Sequence, residues 1–277
     1  MTEPQNPTNK LQKIQKFVEK DAANIDGWFF QPDIYSFITI FETLRNSGVT
    51  GGIVEVGVYH AKSLVLISLL KQDTQKVWGF DLFPDDMKEI AEQNLIAYGC
   101  KKEVSLIQGL TGDISTDLLD QLFEDPISFL HIDAGHEYFE VLEQLKIFSP
   151  YLSERAIIAM DDFQDREFPG VSAAVFDFCE IDRPRRFVPF MAGGNKMYLC
   201  SPSIAPHYQL ELIKCNIWEV DWRISQVKDY QIIIPFSKVP MRKENVIKMI
   251  LKNFHPKRII DKTENLSHLY SQLNHMD

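Results

Sequence analysis

Apolar residues in this chain follow two rhythms. Over residues 10–23, Leu11, Ile14, Phe17 and Val18 share one helical face, and over 33–47 Ile34, Phe37, Ile38, Phe41 and Leu44 do the same. Asn46-Ser47-Gly48 closes the second helix by turn chemistry. From residue 52 short continuous apolar runs alternate with helical patterns. The runs GIVEVGV, KVWGFDLF, VSLIQG, ISFLHIDA and RAIIAMDDF predict five strands. Between and after them AKSLVLISLLKQ, PDDMKEIAEQNLIAYG, TDLLDQLFE, YFEVLEQLKIFSPYL and VSAAVFDFCEI predict helices. FVPF and KMYLC, joined near Gly193-Gly194, add a β-pair at the far edge. Unbroken apolar strands alternating with helices require a parallel sheet covered on both faces. The expected fold is α/β: a doubly wound, mostly parallel, seven-stranded sheet with helices on both faces, N-terminal helices and a C-terminal extension.

The expected division is 1–48 as a helical cap, 49–201 as the ligand-binding domain and 202–277 as a lid, oligomerisation arm or small subdomain. In the last stretch YQIIIPF reads as a strand and ENVIKMILKNF as a helix.

Composition narrows the function. The 277 residues are 45% hydrophobic, enough for a sizeable core. With 29 Lys and Arg against 39 Asp and Glu, the formal charge is −10, which argues against a nucleic-acid partner. MTEPQNPTNKLQKIQK lacks an apolar leader core, and no apolar run approaches the ~20 residues that span a bilayer. Cys100, Cys179, Cys200 and Cys215 are scattered without a CxxC pair, so free thiols and a cytoplasmic protein are expected.

In open α/β sheets ligands bind beyond the carboxyl ends of the strands. The first strand ends in Glu55-Val56-Gly57, followed by a turn from Tyr59 to Ser63. Here a glycine permits close approach, but neither GxGxxG nor a phosphate loop is present. The second ends in Phe80-Asp81-Leu82, where an acid suits a ribose diol, or caps the next helix. The third ends in Gln108-Gly109, either an adenine edge or a polar turn. The fourth and fifth bring Asp133, Asp161 and Asp162 to one crevice, with His136 one short turn from Asp133. Crowded carboxylates repel one another, and a hard cation such as Mg²⁺ relieves the conflict. His136 is a candidate general base. Taken singly, these residues also suit caps and polar turns. Their convergence favours a site.

IVEVGVYHAKSL, VWGFDLF, FLHIDAGHEYFEVLEQLKIFSPYL, AIIAMDDF, PGVSAAV and GGNKMYL together resemble class I S-adenosylmethionine-dependent methyltransferases, over about residues 27–200. The macrocin O-methyltransferase-like group is the nearer resemblance and catechol O-methyltransferase the more distant. The resemblance implies a Rossmann-like fold and S-adenosyl-L-methionine bound by Glu55, Gly57, Tyr59, Ser63, Asp81, Leu82, Gln108, Gly109 and Asp133. It implies a metal, Mg²⁺, at Asp133, Asp161 and Asp162, with Asp133 and His136 catalytic. His136 stands where catechol-type relatives carry lysine, and Ala61 where a glycine is usual. The implied reaction is O-methylation of a small-molecule hydroxyl, sugar or phenolic, in secondary metabolism, without a membrane partner and with room for a homo-oligomer.

Three other readings compete. A metal-independent methyltransferase would use His136 alone. An NAD-dependent oxidoreductase suits Asp81 but lacks the glycines and a YxxxK pair. A non-enzymatic methyltransferase fold would have no use for the strand-end acids.

Overall fold

The computed structural model describes residues 7–215 and 221–236. Two helices lead, α1 (Pro7–Glu19) and α2 (Gln31–Asn46). Strands and helices then alternate: β1 (Gly52–Val56), α3 (Lys62–Leu70), β2 (Val77–Asp81), α4 (Met87–Ala97), β3 (Val104–Gln108), α5 (Thr116–Leu122), β4 (Ile127–Ile132), α6 (Tyr138–Phe148) and β5 (Leu152–Met160). α7 (Pro169–Ile181), the hairpin β6 (Val188–Gly193) and β7 (Lys196–Cys200), α8 (Ala205–Cys215), and a second hairpin of β8 (Asp221–Val227) and β9 (Tyr230–Phe236) follow. The helix expected over ENVIKMILKNF lies outside the described residues.

The nine strands of the described residues form one sheet in the order β3-β2-β1-β4-β5-β7-β6-β9-β8. The first five are parallel, and β7 turns antiparallel against β5. The chain reverses its direction of winding between β1 and β4, which opens a crevice beyond their carboxyl ends.

Among the described residues nine strands replace the seven expected. β9, anticipated as YQIIIPF, runs parallel to β6 at Met191 and Ile233, and β8 pairs with it from Asp221–Phe236 to Val227–Tyr230. In β8 polar Asp221, Arg223, Ser225 and Gln226 are interleaved with Trp222, Ile224 and Val227, so it carries no continuous apolar run. That is how an outermost strand is built, because one edge faces water. α8 was not anticipated either. Tyr208 and Leu212 bury fully, and the Tyr208 hydroxyl donates to the Arg155 carbonyl at 2.6 Å.

Each sheet face has its own core. One packs α1, α2, α3 and α8 on the sheet through residues such as Phe17, Phe37, Leu66 and Tyr208, with Ala91 and Leu95 of α4. The other packs α5, α6 and α7 through Leu119, Leu145, Phe148 and Val175. β1 and β4 are buried along their whole length, as their unbroken apolar runs require.

Phe37 joins the cap helix α2 to the sheet. Its ring meets Phe29 at 5.1 Å and Phe129 at 5.4 Å, and stands edge-on to His131 at 4.9 Å. Phe37→Ala is expected to destabilise the protein by about 3–5 kcal/mol in chemical denaturation, as for other fully buried aromatics.

Candidate active site

The carboxyl ends of β1, β2, β4 and β5 assemble the crevice, and the backbone sets its shape. Gly57 follows β1 at φ 89°, and a Cβ there would lie 1.9 Å from the Asp133 carbonyl oxygen. Only glycine lets the β1 turn pass so close to the β4 turn. Tyr59 and Ala61 take positive φ of 47° and 65°, so the turn is tightly wound before α3 begins.

Asp81 ties this turn to the next. Its Oδ2 accepts from the amides of Val58 at 2.7 Å and Tyr59 at 2.8 Å, and its Oδ1 accepts from Phe83 at 2.8 Å. Gln108 donates to the carbonyls of Leu82 and Phe83, at 3.2 and 3.1 Å, fixing the β2 and β3 ends together. Leu82 and Leu110 stand exposed beside them, and the space in front of Gly109 is open. Flat apolar surface beside hydrogen-bonding groups suits a heteroaromatic ring. Ser63 is buried in the first turn of α3.

Glu55 lies deeper. It is fully buried and its Oε1 meets His131 Nδ1 at 2.7 Å, so its carboxylate sits beneath the crevice floor. The His131 Nε2 points toward Asp161 Oδ2 at 3.8 Å, too long for a hydrogen bond.

The three aspartates occupy two levels. Asp161 is buried: its Oδ1 accepts from the Asp162 amide at 2.8 Å, and its Oδ2 is paired with Lys196 Nζ at 2.5 Å. Asp133 and Asp162 are partly open. Asp162 Oδ2 meets His136 Nε2 at 3.0 Å, and its Oδ1 accepts from Asn195 Nδ2 at 2.9 Å. His136 stacks on Phe168 at 3.9 Å, which fixes its ring plane. One donor atom from each of Asp133, His136 and Asp162 lies within 4.8 Å of the others, as does one from each of His131, Asp133 and Asp161. The first group is half-buried and its donor set fits a divalent cation. The second shares its buried Asp161 with Lys196.

Charge crowding shifts the acidity of these groups. Burial, and then the Asp161 carboxylate, push Asp133 well above the ordinary carboxylate range. Asp162 is raised for the same two reasons, against the pull of His136. For Asp161 burial also pushes upward, but the Lys196 ammonium and then His131 outweigh it and hold the group ionised far below the usual range. Burial presses Lys196 toward neutrality, and Asp161, Asp33 and Asp133 overcome it and raise its pKa.

His131, Lys196, Asn195 and Asp33 were not singled out by the sequence reading. His131 is embedded in an apolar strand, Asn195 lies in a hairpin turn and Lys196 begins the apolar strand β7, where no local pattern assigns them a role. Asp33 caps α2 by accepting the Phe30 amide at 3.1 Å, and from there reaches the crevice 162 residues away in sequence, at the Asn195 amide. The basic cluster at Arg183–Arg186 lies elsewhere. Arg183 pairs with Glu180, and Arg185 with Glu180 and Asp229, beside a hollow of about 570 Å³ at the opposite end of β6.

Comparison with known proteins agrees with this geometry. Residues 54–163, from β1 to the turn after β5, match a protein family described as a methyltransferase domain. A search of curated proteins found no match. Among solved structures, the O-methyltransferase NovP aligns with a TM-score of 0.55 at 15% identity, covering 71% of this chain and 99% of NovP. The cofactor-bound Rv0187 from MTB aligns at 0.50 and 15% identity, covering 69% of this chain and 88% of its own. At such identity the likeness is one of fold.

Asp81→Ala leaves three backbone amides without their acceptor. It is expected to cost roughly 2–3 kcal/mol in chemical denaturation, since hydrogen bonds to charged groups are the strong ones. The matched stretch, residues 54–163, runs from the first strand to the paired aspartates and so takes in every strand end that forms the crevice.

Proposed function

We propose that the protein is an S-adenosylmethionine-dependent O-methyltransferase acting on a small-molecule hydroxyl, sugar or phenolic. The observation that carries this reading is the cluster of Asp133, His136 and Asp162 at the carboxyl ends of β4 and β5, inside the stretch matching a methyltransferase domain. The O-methyltransferase name of NovP, whose fold is shared along nearly its whole length, supports the choice of oxygen as acceptor.

The roles follow from position. The turn from Gly57 to Ala61, held by Asp81, faces the crevice with the exposed Leu82 and the open surface at Gly109, a surface for an adenosyl group. The acids suit the positive sulfonium of the methyl donor. Asp162 receives His136 Nε2, so in the tautomer with hydrogen on Nε2 the lone pair of Nδ1 accepts the hydroxyl proton. Phe168 keeps that ring from turning. A divalent ion bound by Asp133 and Asp162 would lower the pKa of a chelated hydroxyl and fix its direction. Alignment of the oxygen with the methyl carbon in one crevice supplies much of the rate, because the encounter becomes unimolecular.

The test is calorimetric titration with S-adenosylhomocysteine, followed by methyl transfer to a panel of sugar and phenolic hydroxyls. Binding of the adenosyl ligand is expected. Its absence sinks the proposal. His136→Ala is expected to lower kcat by about 10²–10⁴-fold, the usual worth of a general base, with adenosyl binding retained. Chelator separates the two mechanisms: loss of rate restored by Mg²⁺ marks metal assistance, and an unchanged rate leaves His136 acting alone.

A further inference from the structure

Lys196 is the unusual residue of the crevice. Its side chain is fully buried, and a buried lysine is costly unless its charge is matched. Here two donors of the ammonium have acceptors, and a second carboxylate stands at ion-pair distance. Nζ is 2.5 Å from Asp161 Oδ2, 3.2 Å from Asn195 Oδ1 and 3.9 Å from Asp33 Oδ1, and it lies 5.6 Å from the centre of the Phe29 ring. The neighbouring backbone is shaped to allow this. Gly194 has φ 65°, and a Cβ there would lie 1.9 Å from Asp33 Oδ1.

These contacts divide the aspartates. Asp161 spends Oδ1 on the Asp162 amide and Oδ2 on the ammonium. An incoming divalent ion would have to displace a buried cation or sit beside it, and like charges repel strongly where water is excluded. Asp133, His136 and Asp162 carry no such partner cation at hydrogen-bond distance among the described residues and remain partly open.

We propose that Lys196 is a resident cation of the crevice, a positioning residue that withholds Asp161 from a divalent ion and leaves Asp133 and Asp162 to receive it. The same side chain binds Asp33 to Asp161, and so fastens the start of the cap helix α2 to the carboxyl end of β5. Asn195 makes a second tie, from Asp33 through its amide to Asp162 through its side chain. The inference rests on the methyltransferase reading only for which ion the site would meet. The ion-binding pattern itself is independent of methyl transfer.

Mn²⁺ alone is the probe, followed by electron paramagnetic resonance of the free ion in titrations of the full chain. Lys196→Met is expected to tighten Mn²⁺ binding by about tenfold or more, because it frees a carboxylate and removes a positive charge from its side. Lys196→Gln, which keeps a donor toward Asp161 without the positive charge, is expected to tighten binding in the same sense. Adding Asp161→Asn to Lys196→Met is expected to cancel the gain. Lys196→Met binding no more tightly than the parent, in protein shown folded by circular dichroism, overturns the proposal. So does the same result in Lys196→Gln, and that arm decides the matter if Lys196→Met does not fold. A lysine that only supported the fold would lower or leave unchanged the metal affinity on removal. Titration of the same samples with S-adenosylhomocysteine separates the two claims. Adenosyl binding with the wrong Mn²⁺ pattern sinks the role of Lys196 alone, and the expected Mn²⁺ pattern without adenosyl binding sinks the methyltransferase reading alone.

Discussion

Carboxylates crowded at the ends of parallel strands are the constraint around which this molecule is arranged. Asp133, Asp161 and Asp162 leave β4 and β5 within one crevice, Glu55 of β1 lies buried beneath its floor, and Asp33 approaches from α2. Unpaired, such charges would repel one another and lose the water that stabilises them. The structure answers with directed partners. Glu55 holds His131, Asp161 holds Lys196, Asp162 holds His136 and Asn195, and the amides after β1 and β2 surround Asp81.

The arrangement joins distant parts of the chain. The β6–β7 turn contributes Asn195, the start of β7 contributes Lys196, and α2 contributes Asp33. Phe37 on the next turns of α2 packs against the ring of His131 from below. The cap is therefore attached to the floor of the crevice by an aromatic contact and an ionic one. A change in α2 has a direct physical route to the carboxylates of the crevice.

Layering also explains why the acids differ in character. Asp161 is buried with its counter-ion and stays ionised, whereas Asp133 and Asp162 are pushed upward by burial and by Asp161. A cationic ligand would find the outer pair responsive to its charge and the inner one already satisfied. The sulfonium of a methyl donor and a divalent ion are both ligands of that kind.

Much of this was legible along the chain. Strands buried on both faces must be continuously apolar, so β1, β2, β4 and the later half of β5 announce themselves, and the acids at their ends announce the crevice. β8 escaped notice because its outward edge permits polar residues, and α8 because it packs on the sheet through few side chains. His131 and Lys196 escaped for a different reason. A polar residue within an apolar strand or a hairpin turn has no local signature of its partner, which arrives from a remote segment. The order of strands, the alternating helices and the presence of acids at the strand ends are set by local pattern and by the handedness of crossovers. Which acid is open to a ligand and which is bound to lysine was decided only by tertiary structure, because ion pairing depends on distances between segments that the chain itself keeps far apart.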